Sequence, residues 1–234
     1  MVREEPMIAR DTRRWSPFGR LCVGITLAFL LVALTTLSAF AASPSSVPSS
    51  GPVVYLTFDV EGRGAPEVLA TLRTKRVPAT MFLVGSWVDA QPALVRQMVT
   101  DGHALGNHSY SHPAFTRLSS AAARTEIRRA EMAIRRASGG VSPRPRFRFP
   151  YGAGQGDQRL LQLVASEGYQ AYYWTVDPQD WRGYSSATIT QHVLTHSRNG
   201  SIVLLHPAAP GTPGALPAII DGLRARGFQF ATLP

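Results

Sequence analysis

From Val53 onward, short apolar runs alternate with longer stretches in which apolar residues recur every three or four positions. The apolar runs have strand character and lie at residues 53–60, 79–85, 103–108, 146–152, 170–176, 201–206 and 228–233. The longer stretches have helical character and lie at residues 66–76, 90–101, 119–138, 157–167, 185–197 and 215–226. Strands that alternate with helices of this length are typical of parallel βαβ units. The pattern predicts a single α/β domain whose parallel strands form a barrel or near-barrel.

The N-terminal part of the chain has a different pattern. Residues 21–34 form an uncharged apolar run behind an Arg-rich stretch, and Ala39-Phe40-Ala41 fits the small-x-small pattern of a signal peptidase site. Residues 1–42 are therefore predicted to be either a cleaved signal peptide or an uncleaved membrane anchor. Both alternatives place the rest of the chain outside the cytoplasm, secreted or held at the membrane by this segment alone.

A Ser/Pro-rich linker at residues 43–52 is expected to separate this segment from a domain at residues 53–234. The single cysteine, Cys22, lies in the apolar run, so any metal in the domain must be held by His and carboxylates. The net charge of the whole chain is +9, and basic residues still outnumber acidic ones when residues 1–42 are set aside, which favours attraction of the exported part to an anionic envelope polymer. Nucleic acid is not expected as a partner, because the basic residues are scattered and no nucleic-acid-binding motif is present. Nothing demands assembly, so we expect a monomer.

Reactive side chains fall at the C-terminal ends of several predicted strands. They are Asp59, His108, Arg148, Asp177 with Asp180, and His206. In α/β barrels, the loops at this rim assemble active sites. A charged group that ends an apolar strand is costly unless the strand opens into a polar cleft; the alternative for Asp59 is that it only caps the next helix. The set predicts an active site at this rim.

His108 and His112 form an HxxxH pair. On a helical turn this spacing places two imidazoles on one face, close enough to share a cation. His192 and His196 have the same spacing but fall within a predicted helix with no neighbouring acid or strand end. We interpret that second pair as a surface or packing feature, and His103 as structural.

Five segments, in order, resemble the motifs of the polysaccharide deacetylase family, which is carbohydrate esterase family four with the NodB homology domain. The segments are Thr57-Phe58-Asp59, His108-Ser-Tyr-Ser-His112, Arg148-Phe149-Pro150-Tyr151, Asp177-Pro178-Gln179-Asp180-Trp181 and Leu204-Leu205-His206. The resemblance covers residues 53–234. It implies a distorted, TIM-barrel-like (β/α)7 barrel with a divalent metal, commonly zinc, in a surface groove. It also implies a hydrolase that removes acetyl groups from N-acetylated sugars of peptidoglycan or a chitin-like polysaccharide.

The resemblance assigns the water-activating side of the site to four residues. His108 and His112 resemble the family's metal ligands, and Asp59 resembles the general base that takes a proton from the attacking water. Arg148 would pair with Asp59, and this pairing would keep the carboxylate ionised and correctly aimed.

The resemblance assigns the leaving-group side to five further residues. His206 resembles the general acid that protonates the leaving amine, and Asp180 would orient and charge it. The backbone N–H of Tyr151 would stabilise the oxyanion. Trp181 and Leu204 would shape the pocket for the acetyl methyl group.

The chain departs from the family at Val60, where a second Asp usually supplies the third metal ligand. Three interpretations follow. Glu61 substitutes as the ligand, because residues 59 and 61 share one side of an extended strand; the metal is held by the two histidines and water, with Asp59 contributing; or the site has lost its metal and only binds glycan.

These interpretations leave several functions open. An O-acetyl polysaccharide esterase can use the same machinery as an N-deacetylase, and a non-catalytic wall-binding protein can be built on the same fold. A glycosidase is the weakest alternative, because it needs a second carboxylic acid that faces the scissile bond.

Overall fold

The computed structural model describes residues 46–47 and 51–234. The predicted signal peptide or anchor at residues 1–42 lies outside these residues, as does much of the predicted linker at residues 43–52. Within the described ranges, no helix is both long enough and apolar enough to cross a bilayer.

A parallel sheet forms the centre of the domain. Its strands are β1 (Val53–Val60), β2 (Thr80–Leu83), β3 (Ala104–Asn107), β4 (Arg146–Phe147), β5 (Gln170–Ala171), β6 (Ser201–Leu205) and β7 (Gln229–Phe230). The strand order is β5-β4-β3-β2-β1-β6, and β7 also pairs with β1. A parallel bridge between Val176 and Val203 brings the chain after β5 against β6, which closes the sheet. The prediction of a distorted α/β barrel is confirmed.

The connections between the strands carry the helices. They are α1 (Ala65–Lys75), α2 (Gly85–Ala90), α3 (Pro92–Thr100), α4 (Ser120–Ala137), α5 (Gln158–Ser166), α6 (Ser186–His196) and α7 (Thr212–Ala225).

The predicted strands over residues 170–176 and 228–233 were wrong in their extent, because each forms a ladder over only two residues, Gln170–Ala171 and Gln229–Phe230.

Two further predicted elements were wrong in their extent, both at a proline. The predicted helix over residues 90–101 is divided into α2 and α3 at Gln91 (φ −132°, ψ 47°), because Pro92 disfavours helical backbone in the residue before it. The predicted strand over residues 146–152 ends early. Residues Pro150–Gly152 form a 3-10 turn, because Pro150 has no N–H to extend the ladder.

The two faces of strand β1 contact different parts of the domain. Its apolar residues pack in one cluster with residues of the surrounding helices and are Val54, Leu56, Phe58 and Val60. The alternate residues Thr57 and Asp59 face the other side of the sheet, where both contact Arg148. Val60, 1% exposed, is therefore a packing residue that points away from the site.

Candidate active site

A groove of about 410 Å³ opens at the C-terminal ends of the strands. Its lining residues are Asp59, Glu61, His108, His112, Tyr151, Gly152, Trp174, Asp177, Trp181, Leu204 and His206. Eight of the ten residues predicted to form the site are among them. The other two, Arg148 and Asp180, are fully buried and contact groove residues from behind.

Arg148 holds Asp59 from within the barrel. Its Nη1 donates to Asp59 Oδ1 at 2.8 Å and to Thr57 Oγ1 at 2.9 Å. Its Nε and Nη2 donate to the carbonyls of Tyr172 and Tyr173 at 3.2 and 3.3 Å. A fully buried guanidinium is tolerated because its charge is paired and its donors are satisfied. The aim of the Asp59 carboxylate is thereby fixed.

The electrostatics of this pair favour an ionised base. Burial opposes the charge on Asp59, but the attraction of His108 in its protonated form and of Arg148 outweighs burial and holds the pKa of Asp59 below its usual range. Arg148 is the partner that acts near neutral pH, since a guanidinium is always charged. The second oxygen of Asp59, Oδ2, lies 3.4 Å from Nε2 of His108.

His108 and His112 bring two ring nitrogens to one point. The Nδ1 of His108 lies 2.8 Å from the carbonyl of Arg148, which can only accept, so the proton is assigned to Nδ1 and Nε2 is left with a lone pair. Burial lowers the pKa of His108 to about 4, which keeps the ring neutral at neutral pH. The Nε2 atoms of the two rings are 3.2 Å apart. Bonds of about 2.0–2.1 Å to one tetrahedral cation require a similar spacing.

Residues 108–112 do not form a helical turn, although the two imidazoles converge as the HxxxH spacing predicts. The segment is a loop, and Ser109 and His112 have positive φ values of 67° and 59°. The rings meet because the loop curls back on itself, with the His112 N–H donating to Ser109 Oγ at 3.1 Å.

Glu61 approaches the imidazole pair from outside. Its Oε2 lies 3.6 Å from His112 Nδ1, the nitrogen that faces away from His108. Among the residues that the structure describes, no three His, Cys, Asp or Glu side chains are arranged to hold a metal ion. Two imidazoles with carboxylates nearby are a donor set that suits zinc. These residues therefore fit a divalent metal, but a third protein ligand is not preformed.

Asp180 organises the opposite wall of the groove. It is fully buried and accepts four hydrogen bonds: from His206 Nδ1 at 2.8 Å, His206 N at 2.7 Å, Trp181 N at 2.9 Å and Thr212 Oγ1 at 2.5 Å. Burial opposes protonation of His206, but the hydrogen bond that its Nδ1 donates to Asp180, together with the negative charges of Asp59 and Asp180, outweighs burial and raises the pKa of His206. The imidazolium is thus stabilised, and its Nε2 is left for the groove.

The aromatic rim and two supporting residues complete the site. Tyr151 and Trp181 expose 72% and 60% of their surface beside the groove, and Leu204 is buried at its base. Sequence reasoning missed Trp174 and Thr212. Trp174 lies near the end of the predicted strand 170–176, so the strand-end rule contained a signal for it, whereas nothing local marks Thr212.

Similar proteins carry the same fold. A profile of the polysaccharide deacetylase family matches residues 46–172. A chitooligosaccharide deacetylase from a Bradyrhizobium species is 39% identical over 198 residues, or 77% of this chain and 89% of that protein. A peptidoglycan N-acetylglucosamine deacetylase of known crystal structure has a TM-score of 0.76 at 33% identity, over 81% of this chain and 89% of that chain. A CE4-family pseudoenzyme from Bacillus anthracis has a TM-score of 0.72 at 28% identity, over 79% and 64% of the two chains.

The family profile spans more than half of this chain, and a relative above 30% identity is covered over most of its length. The chain therefore belongs to the polysaccharide deacetylase family and is a polysaccharide deacetylase that acts on carbon–nitrogen bonds.

Proposed function

We propose that this groove hydrolyses the acetamide of N-acetylhexosamine units in peptidoglycan or a chitin-like polymer. One observation carries the proposal. A base whose pKa is lowered, Asp59, and an acid whose pKa is raised, His206, line one groove. The two convergent imidazoles of His108 and His112 line the same groove. Opposite shifts of this kind separate acid and base roles at one pH.

The protein residues divide the reaction between them. Asp59, held by Arg148, accepts a proton from the attacking water as its oxygen bonds to the acetyl carbon. The backbone N–H of Tyr151 stabilises the negative charge on the former carbonyl oxygen. As the carbon–nitrogen bond breaks, His206 gives its proton to the nitrogen, which leaves as an amine with acetate as the other product.

His108 and His112 would hold a divalent metal, zinc in this proposal, through their Nε2 atoms. When bound, the metal supplies Lewis acidity that polarises the carbonyl and acidifies water. The carboxylates of Asp59 and Glu61 are the two candidates for a third protein ligand of this metal. Asp59 Oδ2 already lies close to His108, whereas Glu61 must turn from the Nδ1 side of His112. Its half-exposed side chain leaves it room to do so.

The variants Glu61→Ala and Glu61→Gln distinguish two roles for Glu61: a direct metal ligand, or a hydrogen-bond partner of His112. If Glu61 only accepts a hydrogen bond from Nδ1–H of His112, the Glu61→Ala protein is expected to lose about 10- to 100-fold in metal affinity. The Glu61→Gln protein, which still accepts that hydrogen bond, is expected to recover most of the affinity. A direct ligand loses affinity strongly in both variants. Unchanged zinc affinity in both variants, measured by competition with a chelator, removes Glu61 from the metal site.

A glycan substrate and an extracytoplasmic location complete the proposal. Exposed Tyr151 and Trp181 offer apolar faces to a sugar chain, since exposed aromatics beside a groove mark a binding surface. The excess of basic over acidic residues that remains outside residues 1–42 favours approach to an anionic wall. The apolar segment within residues 1–42 would export the domain or anchor it. We propose that the domain acts as a monomer.

The decisive experiment is acetate release from chitin oligomers and peptidoglycan, with and without a chelator. We expect release from at least one substrate, loss on chelation and recovery with added zinc. Activity that survives thorough metal removal contradicts the metal role. Release from acetylated xylan alone favours the O-acetyl esterase.

A non-catalytic glycan binder is the second candidate. It is favoured by Val60, which lies in the core at the position where the family usually has an acid, and by the likeness to a pseudoenzyme. Binding of chitin oligomers without acetate release or metal uptake would establish it.

A further inference from the structure

The loop between His108 and His112 has a strained backbone. Ser109 and His112 both adopt positive φ values, of 67° and 59°. Non-glycine residues in this region are disfavoured and persist only where the surroundings impose them. Contacts outside the loop must therefore hold it in the shape that brings the two imidazoles together.

Glu126 of α4 supplies the contacts on one side. Its Oε2 accepts the backbone N–H groups of Tyr110 and Ser111 at 2.9 and 2.7 Å, and its Oε1 accepts the Ser111 hydroxyl at 2.9 Å. One carboxylate thus binds two of the three residues that separate the histidines. Hydrogen bonds to an ionised acceptor are stronger than those between neutral groups.

The start of α2 holds the loop from the other side. The N–H groups of Gly85 and Ser86 donate to the carbonyls of Ser109 and Tyr110, each at 2.9 Å. Gly85 permits this approach, because a Cβ there would lie 2.7 Å from the Tyr110 ring. The loop is therefore bound through its carbonyls to α2 and through its amides to Glu126.

We propose that Glu126 is a positioning residue of the metal centre: it holds the loop so that both Nε2 atoms face one point. This inference rests on the proposed metal role of His108 and His112. Glu126 does not line the groove, so its effect passes through the loop backbone. Outer residues that orient metal ligands typically change affinity by about 10- to 100-fold when removed.

The test compares Glu126→Ala with Glu167→Ala in the full-length protein. Glu167 is a matched control, because its carboxylate, like that of Glu126, accepts three hydrogen bonds. They come from Arg124 and Arg128 of α4 and not from the loop. Zinc affinity by chelator competition and the Co²⁺ absorption spectrum report on the centre. Amide hydrogen exchange of Tyr110 and Ser111 in metal-free protein reports on the loop.

We expect Glu126→Ala to lose about 10- to 100-fold in zinc affinity, to alter the Co²⁺ spectrum and to lose protection at both amides. Glu126→Gln, whose amide oxygen still accepts the two N–H groups, should restore most of the affinity. It also serves as the testable variant if Glu126→Ala fails to fold. Glu167→Ala should match the wild type at the centre, whatever its loss of thermal stability.

Three outcomes overturn the proposal: wild-type affinity in Glu126→Ala, an equal loss in Glu167→Ala, or full amide protection without Glu126. A wild-type protein that takes up no metal instead overturns the proposed metal role itself. In that case, the amide exchange still shows whether Glu126 holds the loop.

Discussion

The two HxxxH pairs of this chain have the same spacing but different surroundings. His108 and His112 lie in a strained loop at the barrel rim, with Nε2 atoms 3.2 Å apart and rings tilted by 60°. His192 and His196 lie on α6, where the rings stack at 4.1 Å between centroids with 25° between their planes. The His196 Nδ1 contacts the carbonyl of His192 at 2.8 Å, within the helix itself.

The difference shows that spacing alone does not define a site. A regular helix places residues four apart on the same face, and here the outcome is a ring stack on an exposed surface. At the rim, the carbonyl of Arg148 fixes one nitrogen of His108 and Asp59 lies beside the other. Buried groups of other elements thus orient His108, and Glu61 lies beside His112, whereas the second pair is oriented only at His196, by the backbone of α6 itself.

Substitution of one histidine from each pair tests this contrast directly and should give the greatest loss of activity. His112→Ala should abolish high-affinity zinc binding and reduce acetate release by about a thousandfold or more, because a ligand and the Lewis acid are lost together. His196→Ala, the matched control on α6, should leave both unchanged. Zinc content and initial rates of acetate release check the pair. A loss of similar size in His196→Ala would break the distinction.

A smaller loss of activity is expected on substitution of His206, the groove imidazole that is proposed as the general acid and not as a metal ligand. His206→Ala should reduce acetate release by about 10²- to 10⁴-fold, the usual contribution of a general acid, while zinc affinity stays near normal. Metal titration beside kinetics separates the two effects. Loss of zinc in this variant would show that His206 belongs with the ligands.

A more modest change, a shift in the pH dependence of activity, is predicted for Asp180. Against the effect of burial, the hydrogen bond that His206 donates to Asp180 helps to raise the pKa of His206, so the protonated acid is present below that pKa and is lost as pH rises through it. Asp180→Asn removes the charge and should move the alkaline limb of kcat/KM to lower pH, with the acid limb unmoved. An alkaline limb that stays in place would assign it to another group.

The architecture and the position of most site residues could be predicted from the amino-acid sequence. The alternating pattern of β1 predicted its bounds, Val53–Val60, and the strand-end rule placed Asp59, His108 and His206 at one rim. These features are local: a strand's period and its last residue are written in a few consecutive positions, and parallel strands bring their ends together.

The contacts that hold these residues in place could not be predicted from the sequence and depend on the packing of the domain. Glu126 meets the His108–His112 loop from fifteen or sixteen residues away, and Thr212 reaches Asp180 across 32 positions. Glu61 faces the outer nitrogen of His112, although its strand position alone allowed it to face the metal side. Such contacts leave no period in the sequence, because they depend on how helices and loops pack in space and on the direction a side chain takes after its strand ends.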